Sequence, residues 1–134
     1  MIAADTNILL RYFVDDGAEE RPVAIRFIDE FCSPDRPAWV SHVVVAEFAW
    51  ALRKRYGRER HEVVAALGEL INHHAVALED DVVVALAADA YRRGPADFAD
   101  YLIGSIAHRA GATTTYTFDH NAAKWQHFTR LPQE

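Results

Sequence analysis

Short strand-like runs alternate with helix-length segments along this chain, and that alternation constrains its fold more than any other feature. Apolar or β-branched runs at residues 2–4, 38–40 and 113–118 predict strands. Apolar spacing and turn residues predict helices over residues 6–13, 42–56, 59–72, 81–93 and 98–110. They also predict a strand at 75–78, a short helix near 121–124 and an edge strand near 127–129. Strands that alternate with helices favour a parallel sheet flanked by helices. We therefore predict an α/β fold, a three-layer α/β/α sandwich with a central, mostly parallel sheet.

One further helix is predicted from side-chain spacing after Pro22, which suits a first helical position. Val23, Phe27 and Phe31 recur every four residues, the spacing of a helix that buries one face. This face is expected either in the core or at an interface with a second copy or a protein partner, and the pattern leaves both open.

Composition excludes several classes of protein. The chain has 134 residues, the length of one domain, and 51% of them are apolar, enough for a hydrophobic core. The longest strongly apolar stretch, residues 43–52, is far short of the ~20 residues that span a bilayer, and no secretion signal is expected. The single cysteine, Cys32, excludes a disulfide framework and a cysteine-based zinc site. We expect a cytoplasmic protein with no membrane partner, folded as a single domain over residues 1–134.

The charge balance makes the positions of the acidic residues important. The chain carries 20 Asp and Glu against 14 Lys and Arg, a net charge of −6. An acidic protein is not expected to hold nucleic acid through bulk electrostatics. That expectation is reversed if several acids gather in one place and bind cations.

Glu47 is the only charged residue in the apolar stretch 43–52. The helix is apolar on the side of Val45 and also carries Val43 and Ala51 on the side of Glu47, a pattern typical of a helix buried all round. A buried carboxylate needs a partner, or its pKa rises until it is neutral. Glu47 is therefore a metal ligand, a catalytic acid or the partner of an arginine.

Asp5 and Asp119 each follow a predicted strand. In open α/β sheets, ligands bind beyond the carboxyl ends of the strands, so both positions suit a site. The ordinary alternatives are a helix N-cap for Asp5 and a turn residue for Asp119.

Asp97 and Asp100 open the predicted helix that also contains Gly104. The first explanation is structural, with Asp97 as N-cap and Asp100 in a first turn that favours negative charge. The second is functional, with two acids and a glycine forming the floor of a site, because a helical glycine often marks a close approach of another backbone. The pattern alone leaves both open.

Taken in order, these acidic segments resemble the motifs of PIN-domain nucleases. The matching segments are Asp5-Thr6-Asn7 after the first strand, Val-Ala-Glu47-Phe about 40 residues on, Asp97-Phe-Ala-Asp100-Tyr-Leu-Ile-Gly, and Thr115-Tyr-Thr117-Phe-Asp119. Each segment is short and weakly specific alone, but the ordered set covers nearly the whole chain. Within PIN domains, the length of the chain looks most like the VapC toxins of bacterial toxin–antitoxin pairs. Gly104-Ser105 is a mild departure, since small apolar residues are more usual there.

The resemblance implies an endoribonuclease that depends on Mg²⁺ or Mn²⁺ and hydrolyses RNA phosphodiester bonds. It further implies a toxin that is neutralised by a VapB-like antitoxin and commonly forms a homodimer. It assigns catalytic and metal-binding roles to Asp5, Glu47, Asp100 and Asp119, a further metal-binding role to Asp97, and substrate-binding positions near the metals to Asn7 and Thr117. The tryptophans Trp39, Trp50 and Trp125 are expected in the core or at a dimer interface.

Substrate phosphates need cations as well, and a basic cluster follows the Glu47 helix. Its members are Arg53, Lys54, Arg55, Arg58 and Arg60, with Tyr56 among them. The cluster is either a solvated helix end or a track for the RNA backbone, in which Arg53 and Arg55 bind substrate and Tyr56 stacks on a base. Arg11, little more than one turn beyond Asp5, is a further candidate for substrate binding.

The alternative is a catalytically inactive PIN-like module that binds RNA or protein. Such a module would be expected to keep the fold and lose at least one acid. All four principal acid positions are filled here, which favours the enzyme.

Overall fold

The computed structural model describes residues 1–132, in which parallel strands are flanked by helices. Its strands are β1 (Ile2–Ala3), β2 (Ala38–Val40), β3 (Val76–Leu78), β4 (Thr115–Thr117) and β5 (Phe128–Arg130). Its α-helices are α1 (Thr6–Phe13), α2 (Arg21–Arg26), α3 (His42–Lys54), α4 (Arg60–Asn72), α5 (Asp81–Arg93) and α6 (Phe98–Arg109), and a 3₁₀ turn spans Ala122–Lys124. The predicted α/β/α class with a parallel sheet is confirmed. None of the helices in residues 1–132 has the length and apolar character needed to cross a membrane.

The strands form two separate groups, both entirely parallel. β1, β2 and β3 pair in that order, with Ile2 opposite Ala38 and Val40 opposite Leu78. β4 pairs with β5, and Thr115 lies opposite Phe128. Parallel neighbours need long crossovers, which explains why helices lie between the strands of the first group.

Side-chain caps explain why several helices begin where the sequence predicts. Asp5 accepts a hydrogen bond from the backbone N–H of Thr6 at 2.7 Å, and Ser41 accepts one from Val44 at 3.1 Å. Asp80 accepts from both Val82 and Val83 at the start of α5. Each cap satisfies backbone donors that have no partner within the helix.

The core position predicted after Pro22 is wrong for Val23 and Phe31, whereas Phe27 is half-buried and packs against the core. Val23 and Phe31 are 58% and 45% exposed, and the core side of this segment carries Ala24, Ile28 and Cys32 instead. Both sets have the same spacing, one residue apart, so spacing alone could not choose between them. α2 continues as a π-helical turn over Phe27–Phe31, where the rings of Phe27 and Phe31 stack on each other with centroids 5.7 Å apart.

α6 packs against the end of the chain through Gly104. A Cβ added to Gly104 would lie 2.6 Å from Cε2 of Phe128 and 3.0 Å from Cζ3 of Trp125. The glycine therefore makes room for two aromatic rings. This differs from both expectations for Gly104, namely close approach of another backbone and the floor of a site.

Candidate active site

The first acidic position lies where β1 ends and α1 begins. The backbone of Ala4 still donates to Trp39 at 3.0 Å beyond the last residue of β1, and Asp5 follows it with an exposed side chain. The carboxylate caps α1 through one oxygen. Asp5 is therefore an N-cap of α1. It also lies at the carboxyl end of a strand, where open sheets bind ligands.

Thr6 connects this strand end to Glu47. The hydroxyl of Thr6, a residue only 9% exposed, donates a 2.7 Å hydrogen bond to Oε1 of Glu47 in the middle of α3. A buried hydroxyl with a charged acceptor holds that acceptor in one place. Glu47 is thus positioned by a residue that follows Asp5 directly.

The expectation that Glu47 is buried is wrong. α3 buries the face of Val45, Phe48, Ala49 and Leu52, as the spacing predicts, but Glu47 is exposed on the opposite face. Val43 and Trp50 on that side are 69% and 59% exposed. Ala51 on that side is buried, but Val43 and Trp50 are surface residues, and the carboxylate lies in an open groove.

The groove has a volume of about 590 Å³ and is bounded by α1, α3 and the start of α6. Its lining residues are Asp5, Thr6, Asn7, Leu10, Ala46, Glu47, Trp50, Ala51, Arg55 and Ala99. Four of the sequence-predicted site residues, Asp5, Asn7, Glu47 and Arg55, therefore share one groove. Asp100 follows Ala99 directly in α6.

The acids of α6 and of the segment after β4 influence one another. Asp100 is half-buried, and its pKa is raised by that burial first and then by the negative charges of Asp119 and Asp97. Such coupling requires short separations, because charge–charge interactions weaken with distance. Sequence positions 97, 100 and 119 are thus brought into one electrostatic neighbourhood.

Asp119 is held in a turn. One of its carboxylate oxygens accepts from the backbone N–H of Ala122 at 2.8 Å, and its own N–H donates to the hydroxyl of Thr117 at 3.0 Å. The ordinary description of Asp119 as a turn residue is therefore correct. Its negative charge also contributes to the raised pKa of Asp100.

Comparison with known families identifies the group to which this chain is related. The PIN domain profile matches residues 2–127, nearly the whole chain. The chain belongs to the PIN domain family. No curated protein and no solved structure gave a match. PIN domains are generally metal-dependent nucleases, so the family indicates a nuclease-like fold that typically uses divalent ions.

The donor chemistry of this PIN domain fits such ions. Mg²⁺ and Mn²⁺ prefer oxygen ligands, and carboxylates are their usual source in proteins. Within residues 1–132, no three His, Cys, Asp or Glu side chains converge closely enough to hold one ion as they stand. The carboxylates form two groups, Asp5 with Glu47 through Thr6, and Asp97 with Asp100 and Asp119. The repulsion recorded at Asp100 is the kind that a bound cation relieves.

The basic residues of the PIN domain separate into different environments. Arg60 donates to the carbonyls of Tyr91 at 2.8 Å and Ala96 at 3.0 Å, and its guanidinium lies over the Tyr91 ring. Arg11 donates to Glu20 at 3.0 Å and to the Tyr56 hydroxyl at 3.3 Å, and these two bonds raise its pKa, Tyr56 more than Glu20. Arg60 thus holds the fold together, and Arg11 is engaged away from the groove.

Other members of the basic cluster have weaker or no partners. Arg53 donates to the carbonyl of Arg58 at 3.1 Å, and Arg58 lies 3.9 Å from Glu62. Arg55 lines the groove, and within residues 1–132 its guanidinium has no hydrogen bond or ion pair. Tyr56 is half-buried and bound to Arg11, which leaves it poorly placed to stack on a base.

Trp50 is the groove residue whose position sequence reasoning missed. The expectation of a core position is wrong, because Trp50 borders the groove with most of its surface exposed. The alternative position at a dimer interface stays a prediction. The available signal was its spacing of three residues from Glu47, which puts both side chains on one helical face. That signal was hidden by the expectation that α3 is buried all round.

Proposed function

We propose that this PIN domain is an endoribonuclease that depends on Mg²⁺ or Mn²⁺ and acts as the toxin of a VapBC-type pair. The observation that carries the proposal is the groove lined by both Asp5 and Glu47 and reaching Ala99, the neighbour of Asp100. The raised pKa of Asp100, caused by burial and by the charges of Asp119 and Asp97, supports it. A half-buried carboxylate beside other negative charges is costly for folding. Cations bound by these carboxylates would offset this cost, so the arrangement fits a cation-binding site.

The residues proposed to hold the metal are Asp5, Glu47, Asp100 and Asp119, with Asp97 as a further candidate. When bound, divalent ions lower the pKa of coordinated water and stabilise charge on phosphoryl oxygens. The chain itself supplies the positioning. Thr6 holds Glu47 through its hydroxyl, and the backbone of Ala122 holds Asp119.

Substrate binding is assigned to the polar residues on the same groove. Asn7 and Arg55 line it, so an amide and a guanidinium are available for the phosphates on either side of the cleaved bond. Thr117, Arg53 and Arg11 are outside the lining of the groove and remain proposed contacts. Arg11 would have to exchange its bonds to Glu20 and Tyr56 for a phosphate.

Cleavage is tested with the full chain, purified and incubated with a pool of structured cellular RNA. Cutting is expected with Mg²⁺ or Mn²⁺ and not with EDTA, and Asp5→Asn or Asp100→Asn should abolish it. Asp81→Asn is a matched control, because Asp81 is an exposed acid on α5 outside the groove. Full activity of Asp100→Asn would contradict the proposed site, and binding of RNA without cutting by the unaltered chain would indicate the non-catalytic module.

The toxin role rests on the overall resemblance to VapC toxins, beyond the four motifs shared by PIN-domain nucleases, and needs a separate test. Expression of the chain alone should arrest bacterial growth, and co-expression of a small antitoxin encoded beside it should restore growth. The Asp100→Asn chain should be harmless. Sedimentation of the isolated chain tests the proposed homodimer.

A further inference from the structure

Trp50 is an exposed indole on the same face of α3 as Glu47. The two residues are three apart, about 4.5 Å along the helix axis, and Trp50 is 59% exposed. Trp125, in contrast, packs against Tyr101, His127 and Phe128. Within residues 1–132, Trp50 has no aromatic neighbour of this kind, so its ring is available to a ligand.

The surroundings of Trp50 combine polar and aromatic surface. On one side lies the 590 Å³ groove with Asp5, Asn7, Glu47 and Arg55, and on the other a small pocket of about 80 Å³ whose lining includes Phe98 and Ala99. A protein partner packed on the indole would have to desolvate the charged groups of the groove, at considerable cost. A nucleotide offers a flat base for the indole and a phosphate for the guanidinium.

We infer that Trp50 is the stacking platform for an unpaired base of the RNA substrate, at the edge of the groove that Glu47 and Arg55 also line. The inference rests on the proposed nuclease function and adds a residue that selects unpaired bases of the substrate. Arg55, five residues beyond Trp50 and without a partner in the described chain, provides the cation for a flanking phosphate.

The requirement for an unpaired base follows from stacking. In an A-form duplex, each base face is covered by its neighbours, so an indole has no face to contact. In a single strand or a loop, the face is open, and aromatic stacking accepts every base. Trp50 therefore selects RNA by strandedness and not by sequence.

The test measures binding of a short single-stranded oligoribonucleotide of mixed sequence, with EDTA present so that no cleavage occurs. A fully abasic oligomer of equal length and the corresponding duplex are the matched probes. Trp50→Ala is expected to weaken binding of the single strand about tenfold and to leave the abasic oligomer and the duplex unchanged. Trp50→Phe should retain part of the effect. Val43→Ala is the control, because Val43 is an exposed apolar residue of α3 outside the groove.

Several outcomes would overturn the inference. Equal losses on the single strand, the abasic oligomer and the duplex would show that Trp50 acts through the fold or through charge. Unchanged RNA binding together with an altered sedimentation coefficient would assign Trp50 to an interface between copies of the chain.

The binding test is independent of the nuclease proposal. If the unaltered chain cuts RNA and Trp50→Ala cuts single strands with unchanged KM, the stacking role is wrong and the nuclease proposal stands. If the unaltered chain cuts no RNA with either ion but the base-dependent binding through Trp50 is found, the nuclease proposal fails and Trp50 still contacts RNA.

Discussion

The hydroxyl of Thr6 donates to Glu47 at 2.7 Å and so joins the first turn of α1 to the middle of α3. The two residues are 41 positions apart in the chain. Because Thr6 follows Asp5 directly, the bond fixes two candidate metal-binding carboxylates relative to each other.

Replacement of Thr6 by valine should separate a positioning role from a structural one. Valine keeps the shape but removes the donor, so Glu47 loses its fixed orientation. We expect a loss of about 1 kcal/mol in the free energy of unfolding and a drop of about tenfold or more in Mn²⁺ affinity, measured by calorimetry. Thr6→Ser retains the hydroxyl and should retain the affinity. Unchanged Mn²⁺ affinity in Thr6→Val would show that the bond has no part in metal binding.

Neutralising Asp100 should stabilise the free protein. Its pKa is raised by burial, Asp119 and Asp97, so ionisation of Asp100 opposes folding, and the penalty appears as the pH rises through its folded pKa. Asp100→Asn should therefore raise the thermal midpoint at neutral pH in EDTA. Mn²⁺ should raise the midpoint of the unaltered chain and have less effect on the variant. A lower midpoint for Asp100→Asn in EDTA would contradict the repulsion argument.

Truncation of two arginines of the basic cluster should affect different properties, namely stability for Arg60 and RNA binding for Arg55. Arg60 bonds two carbonyls and covers the Tyr91 ring, so Arg60→Ala should cost roughly 2–4 kcal/mol of unfolding free energy. Arg55→Ala should leave stability unchanged, weaken RNA binding and lower the slope of log affinity against log salt by about 1. Chemical denaturation and a salt titration measure both effects. A stability loss in Arg55→Ala would place that residue among the structural cations.

Two helical glycines form a matched pair for stability measurements. An added Cβ at Gly104 would meet the rings of Phe128 and Trp125, and we expect Gly104→Ala to destabilise the fold by about 1–3 kcal/mol. Within residues 1–132, no atom beyond the neighbouring backbone of α4 lies within 4 Å of the corresponding position at Gly68. Gly68→Ala should therefore stabilise the protein by roughly 0.5–1 kcal/mol through helix propensity. Equal effects at the two positions would contradict the packing described for α6.

Stability should fall in mild acid because of His73. Its Nδ1 accepts from the backbone of Ala75, so Nε2 carries the hydrogen and donates to Tyr12, whose hydroxyl in turn donates to Asp29. Burial first, and then His74, lower the pKa of His73 from 6.5. The unfolded chain therefore takes up a proton before the folded one, and stability is lost as the pH falls below about 6.5. Urea midpoints measured across this range should depend on pH less steeply in His73→Asn than in the unaltered chain. His61→Asn is the control and should keep the pH dependence of the unaltered chain, because His61 is exposed.

Local signals explain which elements could be predicted from the sequence. Helices α1, α3 and α5 begin as predicted because Asp5, Ser41 and Asp80 each satisfy backbone donors within the first turn. These caps depend only on residues close in sequence. The strand pairing follows from the alternation of strands and helices, which requires parallel neighbours.

Errors arose where a local pattern fitted two arrangements. The spacing of Val23, Phe27 and Phe31 equals that of Ala24, Ile28 and Cys32, and only the tertiary contacts decide which set is buried. The same holds for α3, because an apolar surface patch around Glu47 and Trp50 has the composition of a core face. Burial depends on what packs against a helix, and a single sequence does not state that.

The candidate site was partly accessible to sequence reasoning. Asp5 and Asp119 follow strands, and acids at strand ends are expected to approach a common edge. The partners of Arg60 are backbone carbonyls more than 30 residues away, and no pattern in the sequence predicts them. The position of Trp50 on the groove likewise depends on how α3 meets α1 and α6.

The division of the strands into two groups bears on how the acids can meet. β1, which leads to Asp5, and β4, which leads to Asp119, belong to different groups, so within residues 1–132 no ladder of backbone bonds joins them. Their relative position therefore depends on helix packing, because α1 packs on α3, α3 packs on α6 and α6 packs on β4. A substitution in these helix contacts can thus displace the two groups of acids relative to each other while every strand pairing stays intact.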